Sequence, residues 1–156
     1  MRHESATLTY RRAVTEQASS VGLVIALCDT LASDLQKAVA AMRRADSNSL
    51  DLGAIQDRAN ALKHALQVLG QLNALLDPEN GGTCAQNLAR FYEHLRRRIL
   101  VAQFEKNPQV LDAEIPHILQ VRTAWQQVDS RVAETGLEPG NTPDTARDHQ
   151  PFSCSA

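Results

Sequence analysis

The stretch Leu76-Asp77-Pro78-Glu79-Asn80-Gly81-Gly82-Thr83 decides the fold. Its Asp, Pro, Asn and Gly residues cannot continue a helix, yet it stands between two segments with the 3.6-residue apolar period. On its N-terminal side, about Leu52 to Leu76, a seam of Ile55, Ala59, Leu62, Leu66, Leu69 and Leu76 runs along one face. On its C-terminal side, about Thr83 to Lys106, Leu88, Phe91, Leu95, Ile99 and Ala102 do the same. The unit is a helical hairpin.

Two more helices complete the pattern. From about Ser20 to Arg44, Val24, Cys28, Leu31, Leu35, Ala38 and Met42 step by fours and threes, a heptad seam. Ser19 or Ser20 can cap its start, and Ala45-Asp46-Ser47-Asn48-Ser49 ends it. The last helix spans about Pro108 to Ala133, with Asn107 as cap and Pro108 at the first position, where a missing N–H costs nothing. Leu111, Ile115, Ile118, Trp125 and Val132 keep its period, and Pro116 inside it predicts a kink or a late start. Connections this short favour antiparallel neighbours, so the expected fold is all-α: an antiparallel up-down four-helix bundle over residues 20–133. Residues 1–19 read as a flexible arm with Leu8, Tyr10 and Val14 isolated among polar residues. Residues 134–156 read as a disordered tail with Pro139, Gly140, Pro143 and Pro151.

Composition agrees with one domain of 156 residues and one core. Apolar residues make up 43% and aromatics only 4%, an aliphatic, alanine-rich inventory that suits close-packed helices better than a sheet. The net charge of −2 offers no basic excess for phosphate contacts, which argues against nucleic acid. Met1-Arg2-His3-Glu4-Ser5 lacks a signal-peptide core, and the longest apolar run, Val21 to Cys28, is too short to insert in a membrane. Cys28, Cys84 and Cys154 lack metal-like spacing and fit reduced thiols in a soluble, cytoplasmic protein.

Catalytic machinery is missing. A di-metal bundle needs two Glu-x-x-His pairs and two further glutamates; Glu114-Ile115-Pro116-His117 is one such spacing, and no glutamate lies between Ser20 and Arg44 or between Leu52 and Leu76. Glu114 and His117 therefore read as a solvated pair, and no metal or other cofactor is expected. No nucleophile elbow, phosphate-binding loop or Cys-x-x-Cys is present. Cys28 sits on an apolar face and reads as a packing residue. Arg96-Arg97-Arg98 points in several directions around its helix and reads as a solvated face.

Apolar surface, by contrast, is in surplus. Ala61, Ala65, Val68, Leu72 and Leu75 form a second stripe beside the first, wider together than the ~100° core stripe of an ordinary surface helix. Val21 to Cys28, including Leu23 and Leu27, is apolar on every side except Gly22. Two readings fit: a central helix touching two neighbours, or a groove that takes another amphipathic segment. Periodicity does not choose between them.

Between about Tyr10 and Val132 the chain resembles the flagellar secretion chaperones of the FliS family. Tyr10 matches an arm tyrosine, Leu23-Val24 and Leu27 an apolar run, and Asp29 the acid that follows it. Leu76-Asp77 with Gly81-Gly82, then Ala85, Asn87-Leu88, Phe91-Tyr92, Arg98 and Ala102, match the hairpin. Leu119 and Arg122-Thr123-Ala124-Trp125 match the closing element. Val21, Gly22, Cys28 and His94 depart from the family's usual proline, glutamate, tyrosine and aromatic residue. The resemblance implies a non-enzymatic chaperone that binds the disordered C-terminal region of flagellin, prevents its premature polymerisation and delivers it to the export gate. It tips the surplus surface toward a client groove of Leu23, Leu27, Ala61, Ala65, Val68, Leu72 and Leu75. Leu8, Tyr10 and Val14 of the arm would cover the empty groove and meet the gate. Self-association as a homodimer is the expected resting alternative when no client is bound, and a scaffold bundle that pairs through the second helix is the alternative function.

Overall fold

The computed structural model describes the backbone of residues 3–48 and 50–135, and the side chains of 20–48 and 50–134. Five helices follow in order: α1 (His3–Ser47), α2 (Leu52–Ala74), α3 (Gly82–Glu105), α4 (Pro108–Asp112) and α5 (Ile115–Thr135). Among the described residues there is no strand.

One of the two predicted caps is present, at Asn107, and α2 gains one at Asp51. Asn107 accepts from Gln109 N at 3.0 Å ahead of Pro108. Asp51 opens α2 by accepting from Ala54 N at 2.8 Å. In the decisive turn, Asp77 Oδ1 accepts from Glu79 N and Asn80 N, each at 3.0 Å, replacing the bonds a helix would have made. Gly81 is required there, since a Cβ would lie 2.5 Å from the Asp77 carbonyl oxygen, and Gly82 takes φ +53°, a left-handed conformation.

One boundary differs from expectation and one follows it. α1 begins at His3, about 17 residues before Ser20, so the backbone of the first segment is helical and continuous with the bundle helix. Extending an existing helix needs no new nucleus, so its few apolar residues suffice. The last helix is divided between Asp112 and Ile115. Pro116 has no N–H for the Asp112 carbonyl and its ring would clash there, so α4 ends four residues before it. The tail, 136–156, lies outside the described residues.

Opposed side chains fix the register. Asp34 with His64 and Arg44 with Asp57 run α1 and α2 antiparallel. Arg43 with Asp112 and Asp29 with Arg122 do the same for α1 with α4 and α5. Arg122 Nε lies 2.9 Å from Asp29 Oδ1 as an ion pair, although its N–H is not aimed to make a hydrogen bond. All six residues of the α1 seam are buried, against Leu62, Leu69 and Leu72 of α2, Leu95 and Ile99 of α3, Leu111 of α4 and Ile118 of α5. Each such leucine or isoleucine contributes about 1.5–3 kcal/mol by leaving water. α1 packs on α2, α4 and α5, and α2 packs on α3. α3 reaches α4, but no Cα of α3 comes within 8 Å of one in α5. The bundle is closed on three sides and wider on the fourth.

Candidate apolar binding surface

The stripe expected to line a groove is part of the core. Ala61, Ala65, Val68 and Leu72 are all buried, whereas Ile55 and Ala59 of the expected core seam are exposed and Leu66 is half-buried. Leu62 and Leu69 of the expected seam stay in the core, so the buried face of α2 takes in the second stripe and part of the first. α2 lies between α1 and α3, and its alanines let α1 approach closely, opposite Ala38 and Ala41, which are also buried. The signal was in the sequence: a stripe with alanine at consecutive turns marks a close helix contact more readily than a client groove.

Three of the expected residues do reach solvent. Leu23 is 48% and Leu75 43% exposed, and Leu27 is half-buried against the core. The α1–α2 register sets residue 23 beside the end of α2, so these three share one end of the bundle. The side chains of Leu8, Tyr10 and Val14 lie outside the described residues.

A surface the sequence did not reveal lies between α3 and α5. Phe91 is seven residues before Arg98 and three before His94, so it shares their flank of α3. That flank faces the α4–α5 junction, since Arg98 Nε donates to Glu114 Oε1 at 3.0 Å and His94 Nε2 lies 3.3 Å from the same oxygen. Trp125 stands seven residues after buried Ile118, with Val121 between them, on the inward side of α5. Phe91, Val121 and Trp125 are each half-buried against the core. Phe91 and Tyr92 meet with ring centroids 6.0 Å apart, tilted by 49°. Phe91 on α3 and Val121 and Trp125 on α5 thus make the side of the bundle between these helices partly apolar and aromatic.

One end of that side is pinned by charge. Glu114 is 4% exposed, which corrects the expectation of a solvated pair with His117. Its carboxylate meets Arg98 and His94 from α3 and His117 Nδ1, 3.3 Å from Oε2, on α5. Burial would push this carboxyl up, but the hydrogen bonds from His117, Arg98 and His94 outweigh it and hold it below the usual glutamate range. Among the described residues, no group of three or more His, Cys, Asp or Glu is placed to hold a metal ion.

The surface offers binding and little reactivity. Burial, helped by nearby Asp29, pushes the Cys28 thiol up to about 11, and burial likewise raises the Tyr92 phenol. Both are neutral near pH 7. Cys28 is a free, buried thiol. No helix among the described residues is long and apolar enough to cross a membrane.

The family model described as flagellar protein FliS matches residues 2–132. The chain belongs to the FliS family. The Vibrio cholerae flagellar secretion chaperone FliS is 31% identical over 80 residues, 51% of this chain and 59% of that protein. The Salmonella typhimurium flagellar secretion chaperone FliS is 28% identical over 85 residues, 54% and 63% of the two chains. The Pseudomonas aeruginosa flagellar secretion chaperone FliSB is 30% identical over 74 residues, 47% and 59%. The matched part therefore spans about six-tenths of these curated relatives. Membership of the FliS family and the all-helical bundle agree with the resemblance drawn from the hairpin and the closing element.

Proposed function

We propose that this protein is a cytoplasmic flagellar export chaperone that holds the disordered C-terminal region of flagellin, keeps it from polymerising early and delivers it to the export gate. The observation that carries this reading is the family match over residues 2–132, and half-buried Phe91, Val121 and Trp125 on the side where α3 and α5 approach least closely support it. Flagellin termini are amphipathic, and an amphipathic helix buries its apolar face by lying against such a surface. That side stands in for the helical partner that the client later finds in the filament. Ordering the client costs part of the gross binding energy, so affinity is spread along a long surface. Phe91, Val121 and Trp125 are the contacts there, and Leu23, Leu27 and Leu75 extend the surface at the end of the bundle. Ala61, Ala65, Val68 and Leu72 support it from the core. Leu8, Tyr10 and Val14, at the start of α1, serve the hand-over to the gate. The role is non-enzymatic and uses no cofactor.

Titration calorimetry of the full chain with a flagellin C-terminal segment tests the reading. One-to-one binding with a gain of helicity by circular dichroism is expected. Absence of heat and of helicity gain at client concentrations well above the micromolar range overturns it.

A further inference from the structure

Eight large hydrophobic residues are exposed among the described residues, and six of them, Leu50, Leu52, Ile55, Leu100, Val101 and Phe104, belong to the start of α2 and the end of α3. These are the same end of an antiparallel hairpin. Helical phase brings Leu52, Ile55, Leu100 and Phe104 toward the same side as well, whereas Leu50 precedes α2 and Val101 turns toward the flank of Arg98. Asp57 and His64 mark the flank of α2 that faces α1, and Ile55, two residues before Asp57, is turned about 200° away from it, toward α3. Arg98 marks the flank of α3 that faces Glu114, and Leu100, two residues beyond it, is turned by the same angle toward α2. Ile55 and Leu100 therefore flank the outer α2–α3 seam, with Leu52 and Phe104 beyond them. Phe104 is 89% exposed and Leu52 77%. This patch stands apart from the side that holds Phe91, which is the opposite flank of α3.

The α3 side of its rim is basic on a chain whose net charge is −2, while α2 brings Asp51, which caps its start, and Asp57, which pairs with Arg44. Between Arg90 and Lys106, α3 and its cap carry five cationic residues against two acids. Arg98 serves Glu114 and Glu93 is drawn onto Arg97 at 3.4 Å, while Arg90 and Arg96 are exposed without an ion-pair partner among the described residues. We infer that the outer α2–α3 seam docks an acidic amphipathic helix of a partner protein, distinct from the export client. Its apolar stripe covers Ile55, Leu100 and Phe104, and its flanking carboxylates meet Arg96 and Arg97. A second copy of this chain fits poorly, because a two-fold contact sets each patch against itself and opposes basic rim to basic rim.

The test uses the full chain and two designed helical peptides with leucines at i, i+3, i+4 and i+7, one flanked by glutamates and its twin by lysines. Fluorescence anisotropy at low salt should show the glutamate peptide binding at least about tenfold tighter than its twin. Phe104→Asp should weaken it about tenfold or more, as for a central aromatic anchor, with the melting temperature unchanged because the side chain is exposed. Arg97→Glu should weaken it and leave the fold intact. The flagellin segment should bind wild type and Phe104→Asp alike, which separates this inference from the client reading. Equal binding of the twins, or no effect of Phe104→Asp, overturns it. So does loss of flagellin binding in Phe104→Asp, which would make the patch part of the client surface. A wild-type dimer in sedimentation that Phe104→Asp dissolves would identify the occupant as a second copy and overturn it too.

Discussion

The α1–α2 seam and the α3–α5 side border the same core and are built on opposite rules. In the first, Ala38, Ala41, Ala61 and Ala65 are all buried, so two backbones close on one another with small side chains between them. In the second, no pair of Cα atoms comes within 8 Å, and Phe91, Val121 and Trp125 are half-buried. Charge does not separate the two. Each side holds one carboxylate that is almost fully buried, Asp34 beside His64 at the α1–α2 seam and Glu114 beside Arg98 on the other side, and the first adds an exposed pair, Arg44–Asp57, at its edge. Side-chain size is what separates them: small residues let two backbones meet, and large ones hold them apart.

Four substitutions break or sharpen that contrast. Val68→Asp places a charge in the closed seam, where Val68 is 2% exposed, and should unfold the bundle, read as loss of the helical circular dichroism signal. A folded Val68→Asp that loses only client binding would return that stripe to the groove. Glu114→Gln removes the charge that draws Arg98, His94 and His117 together, and should lower stability by about 1–3 kcal/mol in urea unfolding at pH 7.

That difference carries a pH signature. The folded carboxyl of Glu114 titrates below its unfolded value, so its contribution is complete above the usual glutamate range and is lost as pH falls through the lowered folded value. Wild type and Glu114→Gln should therefore differ at pH 7 and converge in acid. Convergence toward alkaline pH instead would mean that the carboxylate is not the stabilising form.

Trp125→Ala, on the α3–α5 side, should weaken the flagellin segment about tenfold or more while melting only slightly lower, because the side chain is half-buried. Arg44→Ala should be the quietest change, within about 1 kcal/mol, since an exposed ion pair adds little. A larger loss would mean that the closed seam leans on its surface charges after all.

Features that depend on a single chain segment were legible in the sequence. The α1 seam, the turn at Asp77 and Gly81, the Asn107–Pro108 start and the interruption at Pro116 follow from local periodicity and backbone chemistry. Features that depend on which neighbour a face meets were not. Ile55 and Val68 look alike in a helical pattern, and only the position of α2 between two helices exposes one and buries the other. Glu114 looked solvated because nothing in its own segment announces that Arg98 and His94 arrive from α3. The start of α1 was missed for a different reason: Ser19 and Ser20 are good caps, but a cap acts only where the chain leaves the helix. Of the expected groove residues, Leu23 and Leu75 are exposed and Leu27 is half-buried, while Phe91 and Trp125 were recognised as family positions and not as residues of one side of the bundle.

The interruption between Asp112 and Ile115 also has a mechanical side. Pro116 has already removed the hydrogen bond that would stiffen the rod there, which leaves the joint to a short turn in which Glu114 N donates to the Leu111 carbonyl at 3.0 Å. The 21 residues of α5 form a lever about 30 Å long. A rotation of about 10° at the joint carries its far end about 5 Å, roughly one helical turn. Glu114 sits at the fulcrum, where three side-chain contacts act through almost no lever arm, and Trp125 and Val132 lie progressively farther along the stroke.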